Sequence, residues 1–113
     1  MPNNIRRIIS IATSGVTESS MLLTGQMTPA PQAASTVLTF ATTVTGTATY
    51  TLSYSYQDVG TVGAITRWLP FSDMTDATTS VDFQSNRQIL ALKLAQTVGT
   101  GSVNLDFILE FQS

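Results

Sequence analysis

Tyr50-Thr51-Leu52-Ser53-Tyr54-Ser55-Tyr56 alternates large apolar or aromatic side chains with small hydroxyl-bearing ones. A period of two is the spacing of a strand that buries one face. Val103, Leu105, Phe107, Leu109 and Phe111 repeat the pattern near the end of the chain. If Tyr50, Leu52, Tyr54, Val103, Leu105, Phe107 and Leu109 share one core, a slip of one residue would put a whole apolar set in water, so register is strongly specified. Two such ribbons among Thr, Ser and Gly predict a small antiparallel β-domain suited to packing and contact.

The flanking segments extend this reading. Residues 35–45 alternate weakly, with Leu38, Phe40 and Thr42 on one side, and Thr45-Gly46-Thr47 leads tightly into the first ribbon. Those two runs are predicted to form a hairpin. Leu90, Leu92 and Leu94 also alternate, although Ala, Leu and Lys around them favour helix. The glycine-bearing turn at 97–102, set between two alternating runs, favours a strand and a second hairpin. Residues 5–12 form a β-branched run between Pro2-Asn3-Asn4 and Thr13-Ser14-Gly15, and read as a first strand with Arg6 and Arg7 near a sheet edge. Short strands are expected at 21–27 and 81–84. Pro29 and Pro31 stiffen the loop at 28–34 and cannot donate to a ladder. Trp68 precedes Pro70 in the segment 64–71, and the polar loop at 72–80 offers Asp and Thr oxygens to local backbone amides.

Turn signals recur at about sandwich spacing, one strand per 8 to 12 residues, which gives seven or eight short strands. The expected fold is all-β: a small antiparallel β-sandwich, jelly-roll or immunoglobulin-like. It is expected to form a single domain over 1–113, with 1–13 serving as an N-terminal strand or arm that contacts an assembly.

Composition agrees. The apolar share of 42% in 113 residues suffices for one core. Threonine makes up roughly one residue in six and suits pleated, half-buried surfaces. Charged residues reach only 11%, so much of the surface must be hydroxyl, amide and glycine, a composition that associates readily. A net charge of −2 supplies no basic footprint for nucleic acid. No apolar run approaches a membrane-spanning helix, so neither nucleic acid nor membrane is an expected partner.

The absence of His and Cys removes Ser-His-Asp and Cys-His catalysis, thiolate ligands and disulfides. A glycosidase pair needs two carboxylates facing across about 5 to 9 Å. Asp106 and Glu110 lie on the outward phase of the last ribbon, where solvation is the simpler role. Asp73, Asp76 and Asp82 have oxygen ligands for a hard cation but no EF-hand spacing, and turn capping explains them better. Gly99-Thr100-Gly101 is too short to cradle phosphate. Trp68 and the tyrosines could form a sugar platform, but strict alternation favours core or interface. No enzyme activity, cofactor or metal is expected.

The order from residue 47 onward, TATYTLSYSYQDV (47–59), RWLPFSDMT (67–75) and RQILALKLAQTVGTGSVNLDFILEFQ (87–112), resembles small virion proteins of tailed bacteriophages, including capsid decoration or cement proteins. In those proteins a closing hairpin joins an apolar strand, a Gly-Thr-Gly or Gly-Ala-Gly turn and a Val/Leu-alternating strand, matched here by 89–94, 99–101 and 103–109. The resemblance implies a virion protein on the capsid surface that bridges subunits. Its partner would be the major capsid protein or another virion protein, and it would form a homo-oligomer, dimer or trimer. Candidate assembly contacts are Ile5, Arg6, Arg7, Ile9, Pro29, Pro31, Arg67, Trp68 and Pro70. A tail- or neck-associated protein and a carbohydrate-binding module are the alternatives. An exposed Trp68 beside a groove would favour the carbohydrate module.

Overall fold

Residues 4–23, 37–57, 59–85 and 89–112 are described by the computed structural model. Among them the period-two runs form strands β1 (Asn4–Ser14), β2 (Glu18–Leu22), β3 (Val37–Thr45), β4 (Thr49–Ser55), β5 (Leu69–Pro70), β6 (Asp82–Ser85), β7 (Ala91–Val98) and β8 (Ser102–Gln112). They build two four-stranded sheets, ordered β1-β8-β3-β6 and β2-β7-β4-β5. Every pairing is antiparallel.

The pairs β1/β8, β2/β7, β3/β6 and β4/β5 are those of one long ribbon folded back on itself. The contacts β3/β8 and β4/β7 roll that ribbon into a sandwich. This is jelly-roll connectivity, which decides between the two sandwich types left open by the sequence.

Alternation sets the core as expected. Tyr50 and Leu52 of β4 and Leu92 and Leu94 of β7 face Leu38 and Phe40 of β3 and Val103, Leu105 and Phe107 of β8. All are buried, as is Tyr54. The side chains of Leu109 and Phe111 lie outside the described ones. The 91–98 run is a strand, so alternation prevails over the helix propensity of its Ala, Leu and Lys.

Three expectations need correction. The runs around Gly46 and around Gly99-Gly101 are not hairpins, because β3 and β8 belong to the first sheet and β4 and β7 to the second. Each turn carries the chain across the sandwich. A glycine turn between alternating runs specifies a reversal, but an in-plane reversal and a face-to-face one have the same one-dimensional pattern. The second strand occupies Glu18–Leu22 rather than 21–27, and 24–27 lie outside the described residues. The Trp-Pro segment, to which the sequence reading assigns no strand, contributes the two residues of β5.

Polar groups inside the sandwich tie the sheets together. Tyr50 Oη donates to the Thr79 carbonyl at 2.9 Å and accepts from Thr42 Oγ1 at 2.6 Å. Thr42 Oγ1 in turn accepts the Val81 N–H at 2.9 Å. Thr13 Oγ1 of β1 donates to Gln96 Oε1 of β7 at 3.0 Å, and Gln96 Nε2 donates to the carbonyls of Gly99 and Gly101. No buried side-chain polar atom among the described residues is left unsatisfied.

Gly101 has no room for a β-carbon, which would collide with the Thr45 carbonyl oxygen and the Thr47 backbone, whereas Gly60 has open space. Gly101→Ala should cost about 3 kcal/mol and Gly60→Ala under about 1 kcal/mol, as read by urea denaturation. Burial raises the Tyr50 hydroxyl pKa above its ordinary 10.0, with the Thr42 hydrogen bond opposing. The neutral form is therefore favoured in the fold. Its contribution is complete below pH 10 and is lost as pH rises through the raised value, because the unfolded chain ionises first. Tyr50→Phe should cost about 1 to 2 kcal/mol at neutral pH and flatten the fall in urea midpoint above pH 10.

Candidate assembly surfaces

β1 lies at the end of its sheet and places Ile5, Arg6 and Arg7 in register with Phe111, Glu110 and Leu109 of β8. Ile9 turns inward, partly buried against the core, as does Ile11. Among the isoleucines of β1 whose side chains are described, the exposed one is Ile8, 73% accessible on the outer face. It stands beside Ile108 in register. With Thr39 and Ala41 they line a shallow groove of about 250 Å³, bordered by Asp82 and Asp106. Ser10 Oγ donates to Asp106 Oδ1. Sequence reading singled out Ile9 and passed over Ile8, although strand parity carried the signal. Only one of two adjacent isoleucines can face the core, and Ile9 shares its phase with Ile11.

Pro29 and Pro31 lie outside the described residues. Arg67, Trp68 and Pro70 belong to a segment folded across the outer face of the second sheet. Gln57 organises it, since Oε1 accepts the N–H groups of Thr66 and Arg67, each at 2.8 Å, and Nε2 donates to Thr66 Oγ1. Ile65 is buried under this segment, while Arg67 and Pro70 are exposed. Trp68 is half-buried, with the Lys93 ammonium of β7 4.9 Å from its ring centre. The cation anchors the ring to the sheet, which fits a structural role better than an open sugar platform.

A second cleft, of about 260 Å³, opens beside β5 between Tyr54, Pro70, Phe71, Ser72, Asp73 and Phe83. Its rings pack on one another. Phe71 lies 4.5 Å from Tyr54, 5.3 Å from Phe40 and 5.6 Å from Phe83 between ring centres. Tilted and edge-on contacts of this kind are a core arrangement. The described carboxylates are dispersed on the surface, and no three acidic groups among the described residues gather into a metal-binding cluster. In the Asp/Thr loop, Thr75 Oγ1 caps the Phe71 carbonyl and the Asp76 N–H donates to Thr51 Oγ1.

No family model and no curated protein matches the chain. Among solved structures, it is similar to a chain from the work on Bacillus endospore appendages that form a novel family of disulfide-linked pili. The TM-score is 0.56 and the identity 11%, over 98% of this chain and 89% of that one. At this identity the likeness is one of fold. It corrects the resemblance to tailed-phage virion proteins, because the fold found is that of a bacterial appendage protein and nothing specific to phage accompanies it. The features behind that resemblance, hydroxyl-rich alternating strands and a Gly-Thr-Gly turn, are what a jelly roll of this size needs wherever it occurs. The matched closing hairpin is also a crossover between sheets.

Lys93→Ala should remove the cation over Trp68 and destabilise the fold by about 0.5 to 1 kcal/mol, measured by urea titration. Trp68→Ala should cost more, because the indole body also covers the sheet. A Lys93→Ala midpoint equal to the parent's would mean that the ammonium contributes nothing to holding the segment down.

Proposed function

We propose that this protein is a non-enzymatic structural subunit that acts outside the cell, at a surface, by assembling with further copies of itself. The observation that carries the reading is the jelly roll shared along almost the whole chain with a protein of pilus-forming appendages. The chemistry of the chain supports it. Without His or Cys, and with dispersed carboxylates, the surface offers contact rather than turnover. A charge content of 11% leaves little electrostatic repulsion between copies.

One difference from those pili follows from composition. The appendages are described as disulfide-linked, whereas this chain has no cysteine. Its assemblies are held by non-covalent contacts, many weak ones acting together through multivalency.

The test is light scattering and negative-stain microscopy of the purified chain over a wide concentration range, with and without reductant. Particles larger than a dimer, growing with concentration and indifferent to dithiothreitol, are expected. A species that stays at the 12.1 kDa monomer mass, or stops at the dimer, would overturn the reading.

A further inference from the structure

We propose that the outer edge of β1, unpaired among the described residues, pairs antiparallel with β1 of a second copy about a two-fold axis, fusing two β1-β8-β3-β6 sheets into one continuous sheet. The proposal rests on the self-assembly reading and names the surface that begins it.

The hydrogen-bond phase of β1 can be worked out. In an antiparallel ladder, successive residues direct their N–H and C=O alternately to one neighbour and to the other side. Ser14 pairs with Ser102, and the Gly15 N–H donates to the Gly101 carbonyl at 3.0 Å. This puts the odd-numbered residues Thr13, Ile11 and Ile9 in the bonded phase toward Val103, Leu105 and Phe107. The other side of the sheet gives the same answer. The Thr42 N–H bonds the Val81 carbonyl, so even residues of β3 face β6 and Thr43 and Thr45 face β8. They take Asn104 and Ser102, which leaves the odd residues of β8 for β1. Ile8, Ser10 and Ala12 therefore aim their backbone N–H and C=O groups out of the sheet, and among the described residues β1 ladders only with β8 and no turn or loop backbone bond reaches these groups.

Natural edges are blunted by shortness, proline, charge or a bulge. From Ile8 to Ser14 there is no proline and no charged residue, and register runs unbroken from Asn4 to Ser14. The other edges are short: five residues in β2, four in β6 and two in β5, which contains Pro70. An 11-residue edge finds its full-length match only in a second β1. Overlapped end to end about Ile9, the strands set Ile8 beside Ser10 of the other copy. Arg6 and Arg7 then stand across from Ala12 and Ile11, so like charges are not opposed. Ile8 gains a neighbour for a side chain that is 73% exposed in the monomer.

The test uses Ala12→Pro, which deletes one outward N–H while sparing the β8 ladder, a substitution edge strands accept. Ile8→Lys is a second variant that changes only an exposed position and charges the edge. Sedimentation of parent and variants, with urea midpoints and near-ultraviolet dichroism as folding controls, reads the outcome. Self-association at least about tenfold weaker in folded variants, or assemblies broken into smaller units, is expected. If Ala12→Pro fails to fold, Ile8→Lys alone decides. Folded variants that associate as tightly as the parent overturn the edge proposal while leaving self-assembly standing. A parent that dimerises through this edge and grows no further upholds the edge and overturns the larger assembly. A parent that stays monomeric overturns both.

Discussion

Three chain reversals stacked at one end of the sandwich hold the jelly roll in register. They are the crossovers from β1 to β2, from β3 to β4 and from β7 to β8. Gly101 lies between the other two, its N–H donating to the Thr47 carbonyl at 2.9 Å and its C=O accepting the Gly15 N–H at 3.0 Å. A β-carbon at Gly99 or Gly101 would meet backbone of the β3–β4 turn. The contact is therefore backbone against backbone. Because β8 starts from this point and pairs with both β1 and β3, fixing its first residue fixes two ladders at once.

Gln96 reinforces that end, and its chemistry explains why a buried amide is tolerated. Its Oε1 accepts from Thr13, and both Nε2 hydrogens are committed to the Gly99 and Gly101 carbonyls. A satisfied amide costs little, whereas a half-satisfied one would be worse than an apolar side chain. The Val81-Thr42-Tyr50-Thr79 chain repeats the device further into the core. Leucine and phenylalanine supply most of the burial, but such side chains permit more than one alignment of two sheets. The hydrogen-bonded ties select one. They do this without the cross-links that small β-domains often use.

Much of this was legible in the sequence, and the remainder has a common cause. Alternation showed that Tyr50, Leu52, Tyr54, Val103, Leu105 and Phe107 share the core, that Leu38, Phe40 and Thr42 lie on one face, and that Arg6 and Arg7 stand near an edge. It could not show which strands pair, because face periodicity is local while pairing is a long-range choice. Both turns read as hairpins proved to cross between sheets for that reason. Thr13 and Gln96 were missed because a polar residue in the apolar phase near a strand end usually marks the end of burial. Here it marks a tie. Trp68 was noticed, but not the lysine that anchors it, since the two meet only once the 59–68 segment folds over β7.

The same geometry bears on how such a surface selects partners. A protein with few charges cannot rely on electrostatic steering to separate right contacts from wrong ones. Hydroxyl and amide groups on its faces are as well hydrated free as they are paired, so a flat face contributes little preference. Selectivity falls to features with fixed direction: backbone donors and acceptors along an edge and the alternation of side chains beside them. Shortness limits three edges of this jelly roll, and Pro70 further restricts β5. The remaining edge, on β1, is held in the monomer by its ladder to β8, the Gly15 bond and the Thr13 tie. A rigid edge loses little conformational entropy when another strand is added. Placing the least protected edge on a strand already laddered along its other side suits a subunit whose surface works by addition of another chain rather than by rearranging itself.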